Sequence, residues 1–245
     1  MTDNKSEGTQ SIEESTFSSD TAEKILNELD GDSESDKDSK KENPFNDFID
    51  EEALKETEAI LNEEEKEKRK EESDSLKQKG NEEFKNENFM ESVNIYTTAL
   101  RICPLSYTND RSILYSNRSA SKIKLDYKES ALEDCTKALE LNPEYAKALL
   151  RRAKLHENMN KLDESLNDYK KLLTLDESNS EVKHAIYVLN AKIEKRNEEM
   201  KEEMLGKLKD LGNLILKPFG LSTENFQMNK DPNSGGYSIN FNKNQ

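Results

Sequence analysis

The chain has 245 residues and a formal net charge of −15, and 36% of its side chains are charged. All of the imbalance lies in residues 1–72, which hold 25 acidic and 10 basic residues, while residues 73–245 hold 27 of each. A neutral body without a uniform positive field is not that of a nucleic-acid binder, and no apolar run is long enough to span a bilayer.

Residues 1–50 read as a disordered acidic tail. Ser, Asp, Glu and Lys dominate 1–40, and Phe17 is the only aromatic residue there, a composition that buries too little apolar surface to offset chain entropy. Two apolar clusters interrupt the tail. Ala22 to Leu29 has the pattern of a transient helix. Pro44-Phe45-Asn46-Asp47-Phe48-Ile49 reads either as a short linear interaction motif or as incidental apolar residues in a solvated tail, and composition favours the latter. Residues 51–72 are charged and helix-favouring, a lead-in to the first long helix.

From residue 73 the sequence repeats itself. Leu76, Gly80, Ser92, Tyr96, Ala99 and Pro104 form one series. Tyr115, Ser119, Ala131, Cys135, Ala138 and Pro143 follow at a constant offset of 39, and Leu149, Ala153, Ser165, Tyr169, Leu172 and Glu177 at a further 34. Six columns in register twice are the signature of a solenoid. The small slot (Gly80, Ser119, Ala153) lets paired helices approach, and the next (Tyr96, Cys135, Tyr169) fills the space between them. Pro104 and Pro143 end the second helix of their units, because proline lacks an amide donor and clashes with the preceding turn. Glu177 stands where the third proline would be, so that helix is expected to run on. The units span 73–106, 112–145 and 146–179, with the five extra residues, 107–111, in an inter-repeat turn. The pattern resembles the tetratricopeptide repeat. That resemblance implies an all-α, right-handed superhelix of three helix pairs.

In such arrays the first helix of each pair lines the concave face. Lys77 and Asn81 are four apart on the first such helix, Asn117 lies on the second, and Lys147 and Arg151 are four apart on the third. Cations supply charge-assisted donors for carboxylates, and asparagine adds donors without further repulsion. Singly, such residues are usually solvated and idle; together on three neighbouring first helices they form a set. The set resembles the two-carboxylate clamp of chaperone-binding tetratricopeptide domains, which hold the C-terminal Glu-Glu-Val-Asp of heat-shock protein 70 or 90. The resemblance implies that these five residues bind that peptide.

The sequence holds no recognisable catalytic constellation. There are two histidines, His156 and His184, and no phosphate loop, nucleophile elbow or metal-ligand spacing, so neither catalysis, a metal nor a cofactor is expected. The two cysteines, Cys103 and Cys135, make no disulfide framework, and Cys135 holds a packing slot as a buried thiol. Together with the lack of an apolar signal core, this points to a reducing, cytoplasmic setting.

Residues 180–216 read as one long helix, its first half capping the solenoid through Val182, Ala185, Ile186, Leu189 and Ile193 and its second half projecting beyond. In the C-terminal motif, 217–245, the flanks of Asp231-Pro232-Asn233-Ser234-Gly235-Gly236 alternate as in a small hairpin. Phe219, Leu221, Phe226, Tyr237, Ile239 and Phe241 either dock back or form a site for a second protein. The helix end and this motif resemble the C-terminus of the tetratricopeptide repeat protein 1 family, which implies an adaptor. The sequence therefore reads as a non-enzymatic cytosolic adaptor or co-chaperone. The alternative is a signalling scaffold that grips a folded partner with its convex face or tail and leaves the clamp unused. Limited proteolysis should remove residues 1–40 early and leave a fragment starting between about residue 50 and 75; a protected fragment retaining 1–40 would contradict the reading of the tail.

Overall fold

The computed structural model describes residues 45–217, 220–230 and 237–241. The Ala22–Leu29 segment and Phe219 lie outside them, as does the tail up to residue 44. Helix α1 (Glu51–Ala59) starts at Asp50, whose carboxylate accepts from the Ala53 amide. Helix α2 (Glu63–Lys85) starts at a capping box in which Asn62 and Glu65 each accept the other's amide. The charged stretch 63–72 is therefore continuous with the first repeat helix.

Three helix pairs follow: α2 with α3 (Phe89–Ile102), α4 (Thr108–Lys124) with α5 (Lys128–Leu141), and α6 (Ala146–Asn158) with α7 (Leu162–Leu175). Each pair turns on a residue with left-handed backbone, namely Glu87, Asp126 and Asn160, which stand 39 and 34 apart like the repeat columns. Ser73 and Ser112, 39 apart, donate to the carbonyls of Ala99 and Ala138 in their partner helices. The small-slot logic is literal in the first pair. A Cβ at Gly80 would lie 2.6 Å from Tyr96 Cε1, and the Ser92 hydroxyl donates to the Gly80 carbonyl at 3.0 Å.

Two expectations are corrected here. The five extra residues do not form a turn. Four of them lengthen α4 at its start, giving 17 residues against 13 in α6. Arg111, in this added turn, donates to the carbonyls of Leu100 and Cys103 and so satisfies the end of α3. Nor does α7 run on without proline. Asp176 is extended, as Asn142 is at the end of α5. Its carboxylate ties a turn by accepting from the Ser178 amide and hydroxyl.

Helix α8 (Ser180–Leu216) then caps the core, burying Val182 and Leu189 with Ala185, Ile186 and Ile193 packed beside them. Beyond residue 196 it projects with Met200, Met204, Leu208 and Leu211 exposed. A 3₁₀ turn (Thr223–Asn225) folds onto its end. The Asn213 side-chain oxygen Oδ1 accepts from the Thr223 amide and hydroxyl, and Lys209 pairs with Glu224. Strands β1 (Phe226–Lys230) and β2 (Tyr237–Phe241) pair antiparallel, Phe226 opposite Phe241.

The tail expected to reach residue 50 stops short of it. Phe45 is buried and Ile49 packs on the main core, because the repeats offer these side chains a prepared surface, described below. Gly80→Ala should destabilise the fold by about 1–3 kcal/mol, the usual cost of overpacking, measured by urea denaturation; an unchanged midpoint would contradict the close contact with Tyr96.

Candidate peptide groove

The first helices of the three pairs, α2, α4 and α6, carry the five groove residues, and the structure links four of them directly or through one neighbour. The Asn81 side-chain carbonyl accepts from the Tyr96 hydroxyl at 2.7 Å and from Asn117 Nδ2 at 3.2 Å. Both of its lone pairs are thereby used, so Asn81 offers a ligand its N–H groups. Arg151 Nη1 donates to the Ser116 carbonyl at 3.1 Å and also to its hydroxyl, which fixes the guanidinium beside Asn117. Lys77 is held at 2.6 Å by Asp74, one turn earlier on α2. Burial pushes the Asp74 carboxyl up, but Lys77 and Lys70 outweigh it and hold the carboxyl below its ordinary range. Lys147 is exposed one turn before Arg151.

Electrostatics tie the two sides together. Burial raises the Tyr145 phenol, while the charges of Arg151 and Lys77 and a hydrogen bond with Ser116 pull it back. Burial likewise pushes Tyr96 up to about 12, against Ser92, Arg151 and Asn117. The cations of α2 and α6 thus act on the same phenol, with the Asn81–Asn117 pair between their helices. Tyr145 and Ser116 went unnoticed in the sequence, although Ser116 adjoins Asn117 and Tyr145 stands just before α6. Tyr96 was legible only as a packing residue.

The C-terminal set is divided. Leu221 is half-buried, whereas Phe226, Ile239 and Phe241 are exposed, with the Phe226 and Phe241 rings 5.2 Å apart. Tyr237 lies in β2.

A family profile described as tetratricopeptide repeat matches residues 114–145 and 146–179. The chain therefore carries tetratricopeptide repeats, and the pair α2–α3 repeats their geometry. It is 43% identical over 94 residues to mitochondrial import receptor subunit TOM70 of Rattus norvegicus, covering 38% of this chain and 15% of that protein. It is 34% identical over 146 residues to a DnaJ homolog subfamily C member 7 homolog of Dictyostelium discoideum, covering 59% of this chain and 26% of that one. The chain thus spans only a minor part of the curated relatives it matches. Among solved structures, the first repeat domain of Spaghetti (RPAP3) bound to the HSP90 peptide SRMEEVD is 29% identical, with 49% of this chain and 92% of that one covered and a TM-score of 0.45.

Tyr96→Phe removes one of the two donors that hold Asn81. It should cost about 1 kcal/mol and shift the side-chain amide signals of Asn81 and Asn117 in a proton–nitrogen correlation spectrum, while that of Asn142 stays in place.

Proposed function

We propose that the chain is a cytosolic adaptor, or co-chaperone, that holds the C-terminal Glu-Glu-Val-Asp peptide of heat-shock protein 70 or 90 in the groove of α2, α4 and α6. The observation that carries this reading is the Asn81–Asn117 hydrogen bond, flanked by Lys77 and Arg151 acting on the common neighbour Tyr145. A C-terminal aspartate presents two carboxylates. Lys147 and Arg151 take charge-assisted bonds to them from one side and Lys77 from the other. The amides of Asn81 and Asn117 complete the donor set. Such a short ligand is ordered on binding, which sets the expected affinity near about 1 μM, or about −8 kcal/mol.

The resemblance of the C-terminal motif, read from its sequence, to the tetratricopeptide repeat protein 1 family points to a second partner, held by the end of α8 and the hairpin. Exposed Met204, Leu208, Ile239 and Phe241 favour it, since contiguous exposed apolar surface commonly marks a protein contact. The scaffold reading, with the groove unused, differs in one respect: its binding does not depend on Lys147 or Arg151.

Calorimetry on the full chain separates these. A peptide ending Glu-Glu-Val-Asp should bind, C-terminal amidation should weaken it, and Lys147→Ala or Arg151→Ala should each weaken it about ten- to hundredfold, the loss of a charge-assisted bond. Deleting 217–245 should leave that affinity unchanged. Equal binding of free and amidated peptides would sink the clamp.

A further inference from the structure

Residues 45–49 lie against the repeats outside any helix, strand or turn, and their burial alternates. Phe45, Asp47 and Ile49 face inward, while Asn46 and Phe48 face out, Phe48 being 74% exposed. Period two is the signature of an extended segment read on one face. The surface beneath is built for it. The Phe45 ring meets Tyr127 edge-on at 4.8 Å, with Lys122 Nζ 5.9 Å from its centroid. The Asp47 carboxylate pairs with Lys122, and Arg118 Nη1 donates to the Asp47 carbonyl at 2.9 Å. Arg101 Nη2 donates to the carbonyls of Asn46 and Phe48 at 2.8 and 3.1 Å. Alternate side chains are met by Tyr127, Lys122 and the main core, and the main-chain carbonyls by guanidinium groups, a division of labour shared with the recognition of extended peptides.

Charge accounts for the aspartate. Arg118 and Lys122, 4% and 1% exposed, both pair with Asp134. Two buried cations then face one carboxylate, and a buried charge without a partner is costly. Asp47 balances the set. The third repeat supplies the comparison 34 residues on. There Arg152 donates to both oxygens of Asp168 at 2.7 and 2.8 Å, and His156 stands where Lys122 does. Burial lowers the His156 pKa and so keeps it neutral. That pair balances without a carboxylate from outside. One helical residue turns by about 100°, which aims Arg118 and Lys122 about 100° and 140° away from Asn117 and its groove.

We propose that this surface, formed by Arg101, Arg118, Lys122 and Tyr127, is a second peptide-binding site. It reads an extended segment with aromatic, acidic and aliphatic side chains at alternate positions, and residues 45–49 occupy it as a tethered ligand. A partner segment of the same chemistry enters by displacing them.

The test keeps every native residue. A site-specific protease sequence is inserted at the exposed turn between Ile60 and Leu61 of the full chain, and the chain is cut and its N-terminal piece followed by fluorescence anisotropy. The piece should remain bound at micromolar concentration. A synthetic peptide of residues 43–50 should displace it at least tenfold better than the same peptide carrying Asp47→Asn. After displacement the repeats should keep their helical circular dichroism. Immediate loss of the piece without competitor would overturn the proposal. So would equal competition by the two peptides, or unfolding of the repeats on displacement, which would make the segment a part of the core.

Discussion

The buried pairing of Arg118 with Asp134 sets the rotation of helix α4. Two hydrogen bonds, from Nε at 2.9 Å and Nη2 at 2.6 Å, tie α4 to α5 with a planar, bidentate geometry that tolerates little roll. Asn117 is the preceding residue. Once Arg118 is fixed, Asn117 has to point toward α2, where the Asn81 carbonyl receives it. The position of the middle donor of the groove is thus decided on the far side of its own helix. Helix α6 is fixed in the same manner by Arg152 and Asp168, and Arg151, again the preceding residue, faces Ser116. The first repeat has Lys79 and Ile95 at the corresponding positions. It relies instead on the close Gly80–Tyr96 contact, and the Tyr96 hydroxyl then holds Asn81.

The repeat columns made much of this legible in the sequence, because the packing that recurs every 34 or 39 residues is a packing of side-chain volumes. Gly80 and Tyr96 stand in two such columns, and Asn117 and Arg151 share a third. What stayed hidden has other physical origins. The turns at Glu87, Asp126 and Asn160 use the left-handed region without glycine; Asp and Asn favour that region only weakly and Glu87 does not flag it at all. The stop at Asp176 comes from a side chain bonding to its own turn, a local device that replaces proline. The added residues before Ser112 have no helical periodicity of their own in so short a run, and only the capping of α3 by Arg111 explains why they coil.

The segment at 45–49 was hidden for a different reason. Its pattern is five residues long and sits in an acidic context typical of a solvated tail. Its partners Arg118 and Lys122 lie about seventy residues away. Sequence shows an acidic residue and two distant cations; it does not show that the cations are buried with one carboxylate too few. Tyr145 is a similar case, since its exposure to the charges of both Arg151 and Lys77 depends on how neighbouring pairs stack.

Cys103 and Cys135 are both fully buried, and burial pushes each thiol up to about 11. At neutral pH only about one such thiol in ten thousand is ionised, and the thiolate is the reactive form. Cys103 closes the first helix pair and Cys135 packs inside the second. The folded chain is therefore nearly silent toward alkylating reagents, and whatever labelling occurs reports transient opening of those two pairs. Nature has left a built-in clock for local unfolding in the part of the molecule that frames the groove, and a cysteine added on the surface would take a probe without removal of the native ones.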